Sequence, residues 1–296
     1  MSGPTGGGPV LVAVASPAHV EQLVRTAGDL ARVGDGVVRI VTVVVKSHDS
    51  PFSVYADETI VERFSGDSRE LLEAAAAVAP DDVTVERDIV VGRSVADGVL
   101  RAVAAAGASA LVIGWERGRG RTDAVFGTTA DRLLERAPCD LYVERIGREA
   151  NGVDSILLPV AGGPHVRPAA VAAKAIAARN DATVIALSVA APDLDEDAAR
   201  GAAERARDLL AELPGPAVAV ETRVREGPVL ETIAEAAGGH DVLVVGATRQ
   251  GAFHRRLVGS VARDVVHRTE RTVILARAGD AVDGSILARL RRLTES

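Results

Sequence analysis

Two loops in this chain have the residue types and spacing that hold a phosphate. Gly114 is followed thirteen residues later by Gly127-Thr128, and Gly246 is followed thirteen residues later by Gly259-Ser260. Each first glycine ends an apolar run, Ala110-Leu111-Val112-Ile113 or Val242-Leu243-Val244-Val245, and each second one opens a helical pattern. A strand, a glycine-rich loop and a helix N-terminus in that order present backbone N–H groups and the positive end of a helix dipole to an anion. In the second copy Gly259, Ser260 and Val261 would supply the amides, and the Ser260 hydroxyl a further bond. In the first copy Gly127 and Thr128 hold those places. The plainer reading of either loop is a tight strand exit before a capping hydroxyl.

Other residues converge on the same loops. Arg117 and Arg249 stand at matching positions, where a guanidinium can grip a phosphate bidentately. Gly251, His254, Arg255 and Arg256 follow in the second loop, while Trp115 and Glu116 crowd the first, and Glu116 would repel phosphate. The first strand of the second copy runs out through Val160-Ala161-Gly162-Gly163-Pro164-His165, where paired glycines let a backbone approach a ligand or simply form a turn. His165 matches His19 of the first copy; a ribose or phosphate contact and a plain helix-start histidine are both open. Gly227-Pro228 and Gly92-Arg93 read as matching turns beside the same crevice. Catalysis finds little support: there is no Gly-x-Ser-x-Gly elbow, no Gly-x4-Gly-Lys-Ser/Thr and no Gly-x-Gly-x-x-Gly after a strand. The six histidines show no metal-ligand spacing.

These loops belong to a duplicated architecture. Pro9–Val20 resembles Ser155–Val166 at an offset of 146 residues, and the loops repeat at an offset of 132. The first copy therefore carries about 14 more residues, assigned mostly to Ser47–Glu62. Each copy alternates β-branched runs with Ala- and Leu-rich helical stretches, the pattern of a parallel sheet covered on both faces. The predicted fold is α/β: two tandem, doubly wound, parallel five-stranded sheets, each with its ligand crevice at the C-terminal strand ends. Residues 1–148 form the first predicted domain, 153–279 the second, and 280–296 a short amphipathic helical tail.

Composition narrows the function. A length of 296 residues suits two domains, and a hydrophobic content of 47% gives each a core. A net charge of −7 argues against a nucleic-acid partner. Lys46 and Lys174 are the only lysines, which reads as GC-rich coding, and a mildly acidic, Lys-poor chain also fits a halophile. The single cysteine, Cys139, permits no intrachain disulfide and fits a reducing cytoplasm as a buried thiol. No apolar run reaches the length of a membrane span. Residues 1–8 lack the basic and apolar regions of a signal peptide and read as a leader.

With the repeat and both loops in view, the chain resembles the tandem, two-domain form of the universal stress protein family over essentially its whole length. That family carries Gly-x2-Gly-x9-Gly-Ser/Thr after its fourth strand. Here the outer positions are kept and the inner glycine is replaced by Arg117 or Arg249. The aspartate that ends the first strand in ATP-binding members is replaced by Ala15 and Ala161. Ala161-Gly162-Gly163-Pro164-His165 is similar to the variant found alone in haloarchaea or fused to amino-acid permeases. The resemblance implies a cytoplasmic regulatory module, not an enzyme, that binds ATP or a related adenine nucleotide, with or without Mg2+, mainly in the second domain. It also implies an intrachain pseudo-dimer through the strands at Leu141–Glu144 and Thr272–Ala276, with a homodimer as a further option. The rival reading is an interaction module without nucleotide, partnered by itself, a transporter or another protein. Weak ATP hydrolysis is the third.

Overall fold

The computed structural model describes residues 8–34, 36–46, 55–63, 65–115, 126–146, 152–192, 194–247 and 260–279. In the first repeat the elements are β1 (Val10–Ala13), α1 (Val20–Gly34), β2 (Val38–Val45), α2 (Asp57–Arg63), α3 (Gly66–Ala77), β3 (Val85–Gly92), α4 (Val95–Ala106), β4 (Ala110–Trp115), α5 (Thr128–Arg136) and β5 (Asp140–Arg145). In the second they are β6 (Ser155–Pro159), α6 (Val166–Asn180), β7 (Thr183–Ala190), α7 (Glu196–Glu212), β8 (Ala219–Glu226), α8 (Val229–Ala237), β9 (Val242–Gly246), α9 (Ser260–Arg268) and β10 (Thr272–Arg277). Strand order is β3-β2-β1-β4-β5 in the first repeat and β8-β7-β6-β9-β10 in the second. Contacts divide the chain into two compact units between Leu141 and Tyr142, inside β5.

Each unit is a parallel sheet wound in both directions from its centre. In the first, Val10 pairs with Val38 on one side and Ala110 on the other. In the second, Ile156 pairs with Val184 and with Val242. Order reverses at β1/β4 and at β6/β9, and a doubly wound sheet opens its crevice there. The apolar runs that announced the central strands are buried: Leu11, Val12, Leu111, Val112, Ile156, Leu157, Leu243 and Val244 have no exposed surface. Helix α6 lies close to its sheet because its inner face is alanine, with Ala170, Ala172, Ala173 and Ala177 fully buried.

The expectation of continuous apolar strands fails at the edges. β3 carries Glu86, Arg87 and Asp88, and β8 carries Glu221, Arg223 and Arg225, all exposed. Each is last in its strand order, where charge discourages further pairing. The extra length of the first repeat includes α2, tied to the end of β2 where the Lys46 ammonium donates to the Tyr55 carbonyl (2.6 Å) and to Asp57 (3.0 Å). The tail at 280–296 lies outside the described residues.

Candidate functional site

The C-terminal strand ends of the first unit surround a cleft of about 930 Å³. Its floor comes from β1, β2 and β4 through Ala13, Val43 and Ile113, with Val95 and Val99 of α4 and Leu71 of α3. Gly114, Gly127 and Thr128 line it, so three loop positions of the first repeat come together; Arg117 lies outside the described residues. Gly127 is the N-cap of α5 at φ +90°, a backbone that favours glycine, with open space where a Cβ would stand. The helix start is not free for an anion, however. Asp131 sits in its first turn and accepts the Phe126 N–H (3.1 Å), while its own N–H reaches the Gly127 carbonyl (3.0 Å).

Trp115 does not crowd the cleft mouth as a loop residue would. β4 continues through it, and Trp115 is buried edge-on against Phe126, with ring centroids 5.1 Å apart at 83°. Asp67 and Glu70 of α3 stand exposed on the cleft's rim. Sequence reasoning missed this wall: α3 meets the strand ends only through tertiary packing. The available signal was the pairing of two aromatics, eleven residues apart, in an aromatic-poor chain.

In the second unit β6 and β9 are parallel neighbours, so Val160, Ala161 and Gly246 lie at one edge of the sheet. Gly246 has a structural reason to be glycine. A Cβ there would stand 3.1 Å from the His165 carbonyl oxygen and 3.2 Å from the His165 Cβ. His165 itself is buried, and its Nδ1 accepts the Ala278 N–H (3.1 Å). The ring nitrogen that a sequence argument offers to a ligand thus holds the chain beyond β10. Gly162 (φ +99°) and Gly163 (φ +91°) form an exposed turn with nothing near either missing side chain. Gly227 (φ +139°) lies beside Thr232 and lines a separate hollow of about 660 Å³ with Asp195, Glu196 and Arg225. The turn at Gly92 is fixed by packing, since a Cβ would come within 2.8 Å of the Gly98 backbone.

Arg249, Gly251 and Gly259 lie outside the described residues. Ser260 opens α9, which continues through Val261. The first turn of α9 has no acidic residue. Arg263 occupies the place that Asp131 holds in α5, at the repeat offset of 132, and pairs with Asp264 (3.1 Å). At this one position the repeats therefore carry side chains of opposite sign, the arginine being ion-paired with its neighbour. Among the described residues no group of His, Cys, Asp and Glu is arranged to hold a metal ion.

The universal stress protein family model matches residues 8–145 and again 152–277. The chain belongs to the universal stress protein family. Solved structures share the tandem fold over nearly the full length. A universal stress protein from Archaeoglobus fulgidus DSM 4304 is 17% identical with a TM-score of 0.61, covering 94% of this chain and 98% of that one. A Pseudomonas aeruginosa UCBPP-PA14 protein described as a universal stress protein is 18% identical with a TM-score of 0.59, covering 99% of each chain. The cytoplasmic domain of a prokaryotic cation chloride cotransporter is 12% identical with a TM-score of 0.55, covering 92% and 96%. No curated protein matches the chain at a significant level. No described helix is long and apolar enough to cross a membrane.

Proposed function

We propose that this universal stress protein is a regulatory module of the cytoplasm that binds ATP or a related adenine nucleotide through its second unit. The observation that carries the reading is the charge at the two helix starts. The first turn of α9 holds Arg263 and no carboxylate, whereas the first turn of α5 holds Asp131. An anion is favoured at the former and opposed at the latter. Gly259, Ser260 and Val261 would hold the phosphates, Arg249 would supply charge, and the open Gly162-Gly163 turn would let the nucleoside approach the end of β6. Mg2+ would arrive with the triphosphate. The role is binding rather than turnover.

A second reading is a module that works through a protein partner. Ala15 and Ala161 stand where ATP-binding members carry aspartate, and the cotransporter domain shows the same tandem fold within a transport protein. Thermal melting with Mg-ATP, AMP or cyclic di-AMP decides between them. Ligand at 100 times its Kd should stabilise the protein by about 2.7 kcal/mol. A shift that Gly259→Val removes is the expected result. Protein freed of carried-over ligand that shifts with none of the three would turn the search to partners.

A further inference from the structure

We propose that β8, the outer strand of the second unit, pairs antiparallel with β8 of a second copy of this chain, about a two-fold axis at Thr222. β8 is last in the strand order, and among the described residues its ladder runs to β7 alone. The N–H of Gly227, directly after β8, donates inward to the Ala190 carbonyl (3.2 Å). Backbone groups alternate sides along a strand, so Val220, Thr222 and Val224 turn their N–H and C=O groups outward, away from β7. Thr222 is exposed, and Val220 and Val224 are partly so; that edge is open.

The charges on β8 match a second β8 in this register. A two-fold at Thr222 makes hydrogen-bonded pairs of Thr222 with Thr222 and of Val220 with Val224. Glu221 then falls opposite Arg223 of the second copy, twice, at the non-hydrogen-bonded positions where side chains come closest. Within one chain Glu221 and Arg223 already share a face, as their ion pair shows (2.7 Å). The neighbouring registers fail, because a two-fold at Glu221 opposes two glutamates and one at Arg223 opposes two arginines. Charge thus turns away an arbitrary strand and admits this one. β3 of the first unit has no uncharged residue flanked by opposite charges, and two-folds within its Glu86-Arg87-Asp88 run set like against like. Helix α7 packs equally on β7 and β8. Paired β8 strands about 4.8 Å apart would then hold the two α7 axes about 10 Å apart, close enough for the helices to pack as well.

The test is sedimentation velocity of the full chain across a dilution series. A dimer that dissociates on dilution is expected. Thr222→Pro removes an outward N–H while leaving the ladder to β7, and should weaken association about tenfold or more at unchanged Tm. Glu221→Arg and Arg223→Glu each set like charges opposite and should each weaken it by a similar factor. An equimolar mixture of these two variants should recover the dimer, because each arginine pair then faces a glutamate pair. A chain that stays monomeric at every concentration would overturn the proposal. So would a dimer that Thr222→Pro leaves as tight as before, which would place the contact elsewhere. So would single-charge variants that associate no more strongly when mixed than when alone.

Discussion

In the first unit Ser109 donates its hydroxyl to the Gly8 carbonyl (2.8 Å), and its N–H reaches the Pro9 carbonyl (3.1 Å). In the second unit the matching residue is Asp241. Its carboxylate accepts from the N–H groups of Asp154 and Ser155, both at 3.0 Å, and from the Ser155 hydroxyl (3.2 Å). Both contacts tie the chain before the first strand of a repeat to the start of its fourth, yet the polarity is reversed. The cause is local: Pro9 has no N–H to offer, whereas Ser155 at the same register does. Equivalent backbones thus reach the same closure by different chemistry. The helix pairs show the same divergence. Gly28 of α1 lets Pro80 approach, since a Cβ there would meet the proline ring at 2.8 Å. At the equivalent place in α6 stands Lys174, whose buried ammonium donates to the carbonyls of Leu210 (2.9 Å) and Leu213 (2.6 Å) at the end of α7.

That last difference carries the largest expected effect. Lys174→Met should cost about 3 kcal/mol in urea unfolding, because it leaves two carbonyls at a helix end without a charged donor. The counterpart change, Gly28→Ala, should cost about 1–2 kcal/mol by overpacking against Pro80. Equal losses at the two sites would break the claim that one contact is polar and the other steric.

Next in size is the sheet closure. Asp241→Ala removes three hydrogen bonds to a carboxylate whose pKa is lowered: burial pushes it up, but the Asp154 and Ser155 donors together with Arg271 outweigh that. A loss of about 2 kcal/mol is expected, against about 1 kcal/mol for Ser109→Ala, which removes one neutral bond. Chemical denaturation of the two variants makes the comparison. The sign also predicts that the Asp241 contribution is present near neutral pH and is lost as pH falls through its depressed pKa.

How much of this was legible depends on whether a feature is local in the chain. The central strands announce themselves, because a parallel strand covered on both faces must be a continuous apolar run, as in Leu111–Ile113 and Val242–Val245. β3 and β8 do not, since an edge strand is selected partly for charge. Gly127 and Thr128 were legible as a helix start because capping is a matter of neighbouring residues. The rim supplied by Asp67 and Glu70 was not, since it exists only when α3 folds back over the strand ends. Gly246 shows the limit most sharply. The neighbour that its missing side chain accommodates is His165, far away in sequence.

The loop comparison is sharpened by exchanging charge. Arg263→Asp would give α9 the first-turn acid that α5 carries. If the second unit binds nucleotide, this exchange should weaken Mg-ATP about tenfold, or about 1.4 kcal/mol, by calorimetry. Asp131→Ala in the first unit should leave nucleotide affinity unchanged. The opposite pattern would place the nucleotide in the first unit and remove the basis for treating the repeats differently.

The smallest effect is a pH dependence confined to the second unit. His240 precedes Asp241, and its counterpart in the first repeat is Ala108. The His240 pKa is lowered, chiefly by burial and then by Arg223, against weaker attraction from Asp241 and Glu221. Its Nδ1 is buried without an acceptor, so a second ring proton would find no partner there. A histidine depressed below its unfolded value near 6.5 binds fewer protons in the folded state. Its stabilising contribution is therefore full above about pH 6.5 and is lost as pH falls toward the folded value. His240→Gln removes the titrating group and should flatten the rise in stability with pH below about 6.5. Ala108→Gln should leave the slope as it is. Melting curves across that range test the pair, and an unchanged slope in His240→Gln would mean that carboxylates shared by both repeats, not this histidine, set the acid side of the profile.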